Sequence, residues 1–157
     1  MSNAPHADVI TLRDASAADV TTMAEIERES FSDPWPASAF RDLMGQTHAR
    51  LTVSVDAADL VCGYCVLLHV LDEGEIANIA VASWRRRRGT AARLLDHALV
   101  LADDIGVRSV YLEVRLSNEP ARRLYASRGF EPVGRRRAYY HAPLEDALIL
   151  RWNAPAA

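Results

Sequence analysis

A chain of 157 residues, half of them apolar and a quarter charged, has the profile of one globular domain with its own core, which excludes a disordered chain and sets aside a second domain. No apolar run approaches the roughly 18 residues that a membrane helix needs, and Met1 to Ala7 lack the cationic start and apolar stretch of an export signal, so a cytoplasmic protein without a membrane partner is expected. The net charge of −3 conceals an uneven distribution, −9 over residues 1–80 and +6 over residues 81–157, and every one of the 18 basic residues is arginine. One part of such a chain can hold an anion while another attracts a cation. Its acidic total, and arginines with no aromatic residues between them, argue against a nucleic-acid partner.

Residues 1–8 read as a flexible N-terminus, 9–153 as a single domain and 154–157 as a flexible C-terminus. The stretch "VITLRDAS" predicts a short strand ending at Ser16, which has the spacing to Asp19 of a helix N-cap and its partner. A helix follows to about Phe31, then the proline-punctuated "SDPWPASAF" leads into a short helix ending near Gly45. "RLTVSV" and "LVCGYCVLLHV", joined by the turn residues "DAAD", predict a hairpin, and "GEIANIAVA" a further strand. Cys62 and Cys65 fall on the second arm of that hairpin, where positions i and i+3 face opposite ways, so they are expected to be packing cysteines and not a redox or metal pair. His48, His69, His97 and His141 lack metal-ligand spacing, and no metal is expected.

After Gly89, Ala91, Leu94, Leu95, Ala98, Leu101, Ala102 and Ile105 recur at spacings of three and four, the buried stripe of a helix that Gly106 stops. "SVYLEVRL" alternates, with Val110, Leu112 and Val114 on one face and Tyr111, Glu113 and Arg115 on the other. Asn118 can cap the next helix, whose first turn tolerates Pro120, and Gly129 ends it. "FEPVGRRRAYY" and "EDALILRW" close the chain as strands. About seven strands with helices between them make an α/β protein, a mixed sheet with helices on both faces.

The run of four arginines from Arg85 to Arg88 has two readings. It can be a solvated charged loop; or, lying between a strand, a glycine and a helix start, it can aim free backbone amides and a helix dipole at a pyrophosphate, with Gly89 allowing close approach. Neither a lysine-bearing phosphate loop nor a G-x-G-x-x-G fingerprint is present.

Arg86-Arg87-Arg88-Gly89-Thr90-Ala91 resembles the Q/R-x-x-G-x-G/A pyrophosphate loop of the GNAT superfamily of acetyl-CoA-dependent N-acetyltransferases, with Ala91 in place of the commoner second glycine. The ordered run "NIAV", "RRRRGTAARLL", "YLEVRLSNEPARRLYASRGF", "RRRAYY" and "EDALIL" is similar to the RimI-type N-terminal acetyltransferases from about Val9 to Trp152. The resemblance implies the GNAT acyl-CoA N-acyltransferase fold and acetyl-CoA as co-substrate. It also implies direct transfer in a ternary complex to the N-terminal alanine of a ribosomal small-subunit protein. By the same resemblance Glu113 is the general base, acting through water, and Tyr125 the acid that protonates the coenzyme A sulfur. Asn118 touches the acetyl-CoA arm, Ile79, Ala80 and Val81 pair with its amides, and Arg87, Arg88, Gly89, Thr90, Ala91 and Ala92 form the pyrophosphate loop. Tyr139 and Tyr140, with Trp35 in its Pro34–Pro36 loop, are matched to the two walls of the peptide groove.

Each residue also has a plainer account when taken alone: Glu113 as a solvated strand carboxylate, Tyr125, Tyr139, Tyr140 and Trp35 as packing aromatics, Asn118 as a helix cap. The acceptor chemistry favours an α-amine, whose reference pKa of about 7.7 to 8.0 lies well below the roughly 10.4 of lysine, so that neutralising lysine costs ~3 kcal/mol more. Glu25, Glu27, Glu29, Asp33, Asp72, Glu73 and Glu75 are expected to attract an arginine-rich peptide. A lysine or small-molecule amine acetyltransferase of the same fold is the alternative, and a non-catalytic acyl-CoA-binding or scaffolding subunit the alternative of another class.

Overall fold

The computed structural model describes residues 9–156; the expectations for residues 1–8 and for Ala157 lie outside them. Seven strands form one mixed sheet in the order β1-β2-β3-β4-β5-β7-β6. They are β1 (Thr11–Asp14), β2 (Ala49–Val55), β3 (Val61–Val70), β4 (Glu73–Val81), β5 (Ser109–Arg115), β6 (Glu131–Tyr140) and β7 (Glu145–Asn153). Four α-helices accompany them among the described residues: α1 (Val20–Ser30), α2 (Ala37–Met44), α3 (Thr90–Asp104) and α4 (Glu119–Ser127). The described residues fall into two compact units, residues up to 66 with 78–95, and 67–77 with the chain from 96 onward. The boundaries fall inside β3, β4 and α3.

In the first unit, α1 begins through the predicted Ser16–Asp19 capping box, preceded by a single 3-10 turn at Ala17–Asp19. Asp19 accepts from the Ser16 backbone N–H at 2.7 Å and from both arms of the Arg13 guanidinium at 2.7 and 2.9 Å, tying β1 to the helix start. The core of this unit packs Val20, Met23 and Ile26 of α1 and Phe40 of α2 with Val53, Tyr64, Val66, Leu94 and Leu95, all buried. Gly63 sits where β3 has no room for a side chain. A Cβ there would lie 2.8 Å from Ser54 Oγ and 3.1 Å from the Ala80 carbonyl oxygen.

In the second unit, β4 pairs in parallel with β5 from Glu73–Ser109 to Glu75–Tyr111, and β5 runs antiparallel to β7 along its whole length. Burial along β5 alternates as its sequence does, with Val110, Leu112 and Val114 buried. On α3 the buried stripe continues through Ala98, Leu99 and Ala102, so that Leu99, four residues after Leu95, takes the place predicted for Leu101. β6 pairs with β7 but slips register twice, between Pro132 and Gly134 and between Arg136 and Tyr140. Near the chain end, the Ala154 N–H donates to the Arg108 carbonyl at 2.8 Å and the Arg108 guanidinium donates to the Pro155 carbonyl.

Candidate active site

The second unit gathers an acid–base cluster around Glu113. Its carboxylate, carried on the polar face of β5, lies 2.8 Å from Arg136 Nε of β6 and is largely buried, with 18% of the side chain exposed. The Tyr139 hydroxyl also hydrogen-bonds to Glu113, a contact that with burial pushes the phenol up to about 12, so Tyr139 stays a donor throughout the neutral range. Arg136 and Tyr139 are three residues apart and would face opposite ways on a regular strand. The irregular stretch between Arg136 and Tyr140, where Ala138 takes φ of 52° and donates its N–H to Asp146 at 2.8 Å, lets both reach one carboxylate.

Tyr139 and Tyr140 meet edge to face with centroids 5.0 Å apart, and the Arg115 guanidinium lies 4.4 Å from the Tyr140 ring centre. Burial, then the charge of Glu113, pushes the Tyr140 phenol up to about 12. Glu113 and Arg136 line a groove of about 330 Å³ with His69, Glu73, Glu75 and Tyr111. Desolvation first and the negative charge of Glu113 second raise the Glu75 carboxyl above the usual range. Glu75 was expected only to help attract a basic peptide and Arg136 was assigned no role, because the register slip that lets Arg136 and Tyr139 share one carboxylate has no signature in "RRRAYY".

Asn118 and Tyr125 stand at the two ends of α4. Asn118 Oδ1 accepts the Ala121 N–H at 3.3 Å, as the cap reading predicts. Tyr125 is 7% exposed, edge-on to Phe130 at 5.7 Å, and its carbonyl accepts the Phe130 N–H where the chain leaves the helix.

The arginine run belongs to the first unit and is not uniformly solvated. Arg85 is buried, and the Arg86 guanidinium turns back to the Val81 carbonyl at 3.1 Å, while Arg87 and Arg88 are exposed. Arg87 and Gly89 both adopt left-handed backbone, φ of 64° and 75°. Glycine accepts that conformation without strain, and arginine pays for it with some, a pattern that goes with a shaped loop. The first intrahelical bond of α3 comes from Arg93, donating to the Gly89 carbonyl at 3.1 Å, which leaves the amides before it free of helix partners. Thr90 Oγ1 is buried at the same place with no hydrogen-bond partner among the described residues. A helix dipole, free amides, an unpartnered hydroxyl and two exposed arginines suit a diphosphate. Ile79, Ala80 and Val81 complete β4 just ahead of this loop.

Trp35 lies in the same unit, half-buried, its ring 5.6 Å from that of Phe40 and its N–H donated to Glu27 Oε1 at 3.1 Å. Glu27, expected among the acidic residues that attract an arginine-rich peptide, is instead buried. It is 1% exposed and accepts from the Tyr64 hydroxyl, from Asn78 Nδ2 and from Trp35, and burial pushes its carboxyl up. Cys62 and Cys65 are free and buried, and burial pushes the Cys65 thiol up to about 12. No group of three or more His, Cys, Asp and Glu side chains among the described residues could hold a metal ion.

Compared with known proteins, residues 20–130 match the Acetyltransferase (GNAT) family. The ribosomal protein bS18-alanine N-acetyltransferase of Salmonella typhimurium is 34% identical over 142 residues, covering 89% of this chain and 95% of that protein. The N-alpha-acetyltransferase RimI of Mycobacterium tuberculosis is 36% identical over 148 residues, 90% and 91% of the two chains. The crystal structure of the ribosomal-protein-S18-alanine N-acetyltransferase from Escherichia coli superposes with a TM-score of 0.88 at 28% identity, covering 95% of this chain and 96% of that one. Family match, near full-length relatives and shared architecture agree: the chain belongs to the GNAT family of acetyltransferases.

Proposed function

We propose that this chain transfers the acetyl group of acetyl-CoA to the N-terminal α-amine of a ribosomal small-subunit protein whose first residue is alanine, directly within a ternary complex. The observation that carries this reading is the similarity, over nearly the whole of both chains, to ribosomal protein bS18-alanine N-acetyltransferases. Acetyl-CoA supplies the acetyl group already activated as a thioester. Arg87, Arg88, Gly89, Thr90, Ala91 and Ala92 hold its diphosphate, for which the left-handed loop and the unpartnered Thr90 hydroxyl are suited. Ile79, Ala80 and Val81 offer backbone groups to its amide arm, and Asn118, whose Oδ1 already caps α4, has its NH2 for the same arm.

Glu113 takes a proton from the incoming ammonium through a water molecule, which frees the nitrogen lone pair. The neutral nitrogen attacks the thioester carbon; as the N–C bond forms and the C–S bond breaks, nitrogen releases a second proton to water, and Tyr125 hands its phenolic proton to sulfur and regains one from solvent. The Arg136 and Tyr139 contacts fix the Glu113 carboxylate in one orientation for this transfer. Trp35, Tyr139 and Tyr140 bind the first residues of the peptide. A cytoplasmic setting goes with a ribosomal substrate, and no helix among the described residues is long and apolar enough to cross a membrane. Neither nucleic acid nor membrane is part of the proposal.

Mass-spectrometric acetyl transfer tests this reading on an arginine-rich peptide with a free N-terminal alanine, beside the same peptide N-blocked and carrying one lysine. Acetylation of the first alone is expected. Transfer to the second alone would replace the α-amine by a lysine side chain as acceptor, and transfer to neither, with acetyl-CoA still bound, would remove peptides as the substrate class.

A further inference from the structure

Glu27 is a carboxylate with almost no exposure, and all of its donors are neutral groups. Oε1 accepts the Trp35 backbone N–H at 3.1 Å and Asn78 Nδ2 at 2.9 Å; Oε2 accepts Asn78 Nδ2 at 3.0 Å and the Tyr64 hydroxyl. Burying a carboxylate without a cation is expensive, and burial does push this carboxyl up. A core needs only an apolar residue there, as it has in the neighbouring Met23 and Ile26. What the carboxylate adds is two acceptor atoms held at one point, and they engage two segments of chain. One is the Pro34-Trp35-Pro36 loop, braced further by the aromatic series Trp35–Phe40–Tyr64 with centroids 5.6 and 5.4 Å apart. The other is Asn78, the residue immediately before Ile79, Ala80 and Val81.

We propose that Glu27 is a positioning residue that fixes, through one carboxylate, both the Trp35 loop that binds the peptide and the β4 segment that binds acetyl-CoA; this rests on the reading given above. Glutamine at this position has the same shape but turns an amide donor toward groups that are themselves donors, so one of the two segments loses its anchor. Misplacing binding groups by a fraction of an ångström is felt in binding and turnover before it is felt in folding.

The experiment compares wild type with Glu27→Gln, Asn78→Ala and Tyr64→Phe. Melting temperature, acetyl-CoA affinity by calorimetry without acceptor, and KM for the alanine peptide are measured for each. For Glu27→Gln, either a several-fold higher acetyl-CoA Kd or an about tenfold higher peptide KM is expected, according to whether Asn78 or Trp35 faces the amide NH2. Asn78→Ala, which keeps the bond from Trp35, is expected to weaken acetyl-CoA alone. Tyr64→Phe lowers stability while leaving both binding constants within twofold. A Glu27→Gln protein that melts lower but binds acetyl-CoA and peptide as wild type does would overturn the proposal, because a merely structural carboxylate gives that result. Should Glu27→Gln fail to fold, an unchanged acetyl-CoA Kd in Asn78→Ala overturns it equally. A wild type that binds acetyl-CoA but leaves the peptide unmodified counts against the substrate reading; the acetyl-CoA affinities of the variants still decide the role of Glu27.

Discussion

Arg136 Nε lies 2.8 Å from Glu113 Oε1, an ion pair open to solvent on its arginine side at the carboxylate assigned to proton transfer, with 57% of the arginine side chain exposed and 18% of the glutamate. The arginine therefore restrains and stabilises the carboxylate from the solvent side, while Tyr139 restrains it by a second bond. Replacing Glu113 by glutamine preserves shape and removes proton acceptance. Turnover should fall on the order of a hundredfold or more, with acetyl-CoA affinity unchanged by calorimetry. Arg136→Gln removes only the restraint, and a fall of about fivefold, smaller at high salt, is expected because an exposed pair contributes little and is screened. Equal losses for the two variants would mean that Arg136 does more than hold the carboxylate.

Gly89 has φ of 75°, and no atom lies within 4 Å of where its Cβ would be. Gly89→Ala therefore costs backbone strain of about 1 kcal/mol without a clash, which predicts a few-fold weaker acetyl-CoA binding. Gly89→Asp adds a negative charge at the site assigned to a diphosphate, and a loss beyond tenfold in Kd is expected, with turnover at saturating acetyl-CoA largely kept. Calorimetry on the pair separates strain from charge.

Gly63 presents the opposite case. Its backbone needs no special φ, but a methyl group would press on the Ala80 carbonyl oxygen at 3.1 Å as well as on Ser54 Oγ. A backbone atom in a paired strand cannot step aside as a side chain can. Gly63→Ala should lower unfolding free energy by about 1–3 kcal/mol in a urea titration.

Asp19 is held below the usual carboxylate range, first by its bond from Arg13 and then, against desolvation, by its bonds from Ser16. A carboxyl whose folded pKa is depressed contributes stability above its unfolded pKa of about 3.9, and that contribution is lost as pH falls through the folded value. Asp19→Ala should thus cost about 1–2 kcal/mol at pH 7, where cap and ion pair are both intact. The difference from wild type should narrow below about pH 4 in urea titrations run across pH.

Regular structure was legible wherever side-chain periodicity and local chemistry agree. The alternation of β5, the Ser16–Asp19 box, the Asn118 cap and the burial of both cysteines follow from spacing alone. What escaped depends on partners distant in sequence. Glu27 looks like any surface glutamate of an amphipathic helix, and Asn78, 51 residues on, and Tyr64, 37 residues on, join the nearby Trp35 N–H in making its burial tolerable. Arg85 and Arg88 are indistinguishable in "RRRR", yet the first is buried and the second exposed. The turn at Ser83–Arg85 sets their facing, and it carries no glycine or proline to announce it.

The slip between Arg136 and Tyr140 makes the length of β6, as much as its composition, decide what meets Glu113. On a strand with a strict twofold side-chain repeat, adding or removing one residue exchanges the two faces for everything beyond it. One codon gained beside Arg137 or Ala138 would turn Tyr139 to the face opposite Arg136 while leaving β5, and the carboxylate it carries, untouched. The hairpin can in this way acquire a new set of neighbours for the carboxylate proposed as proton acceptor without any change in the strand that carries it.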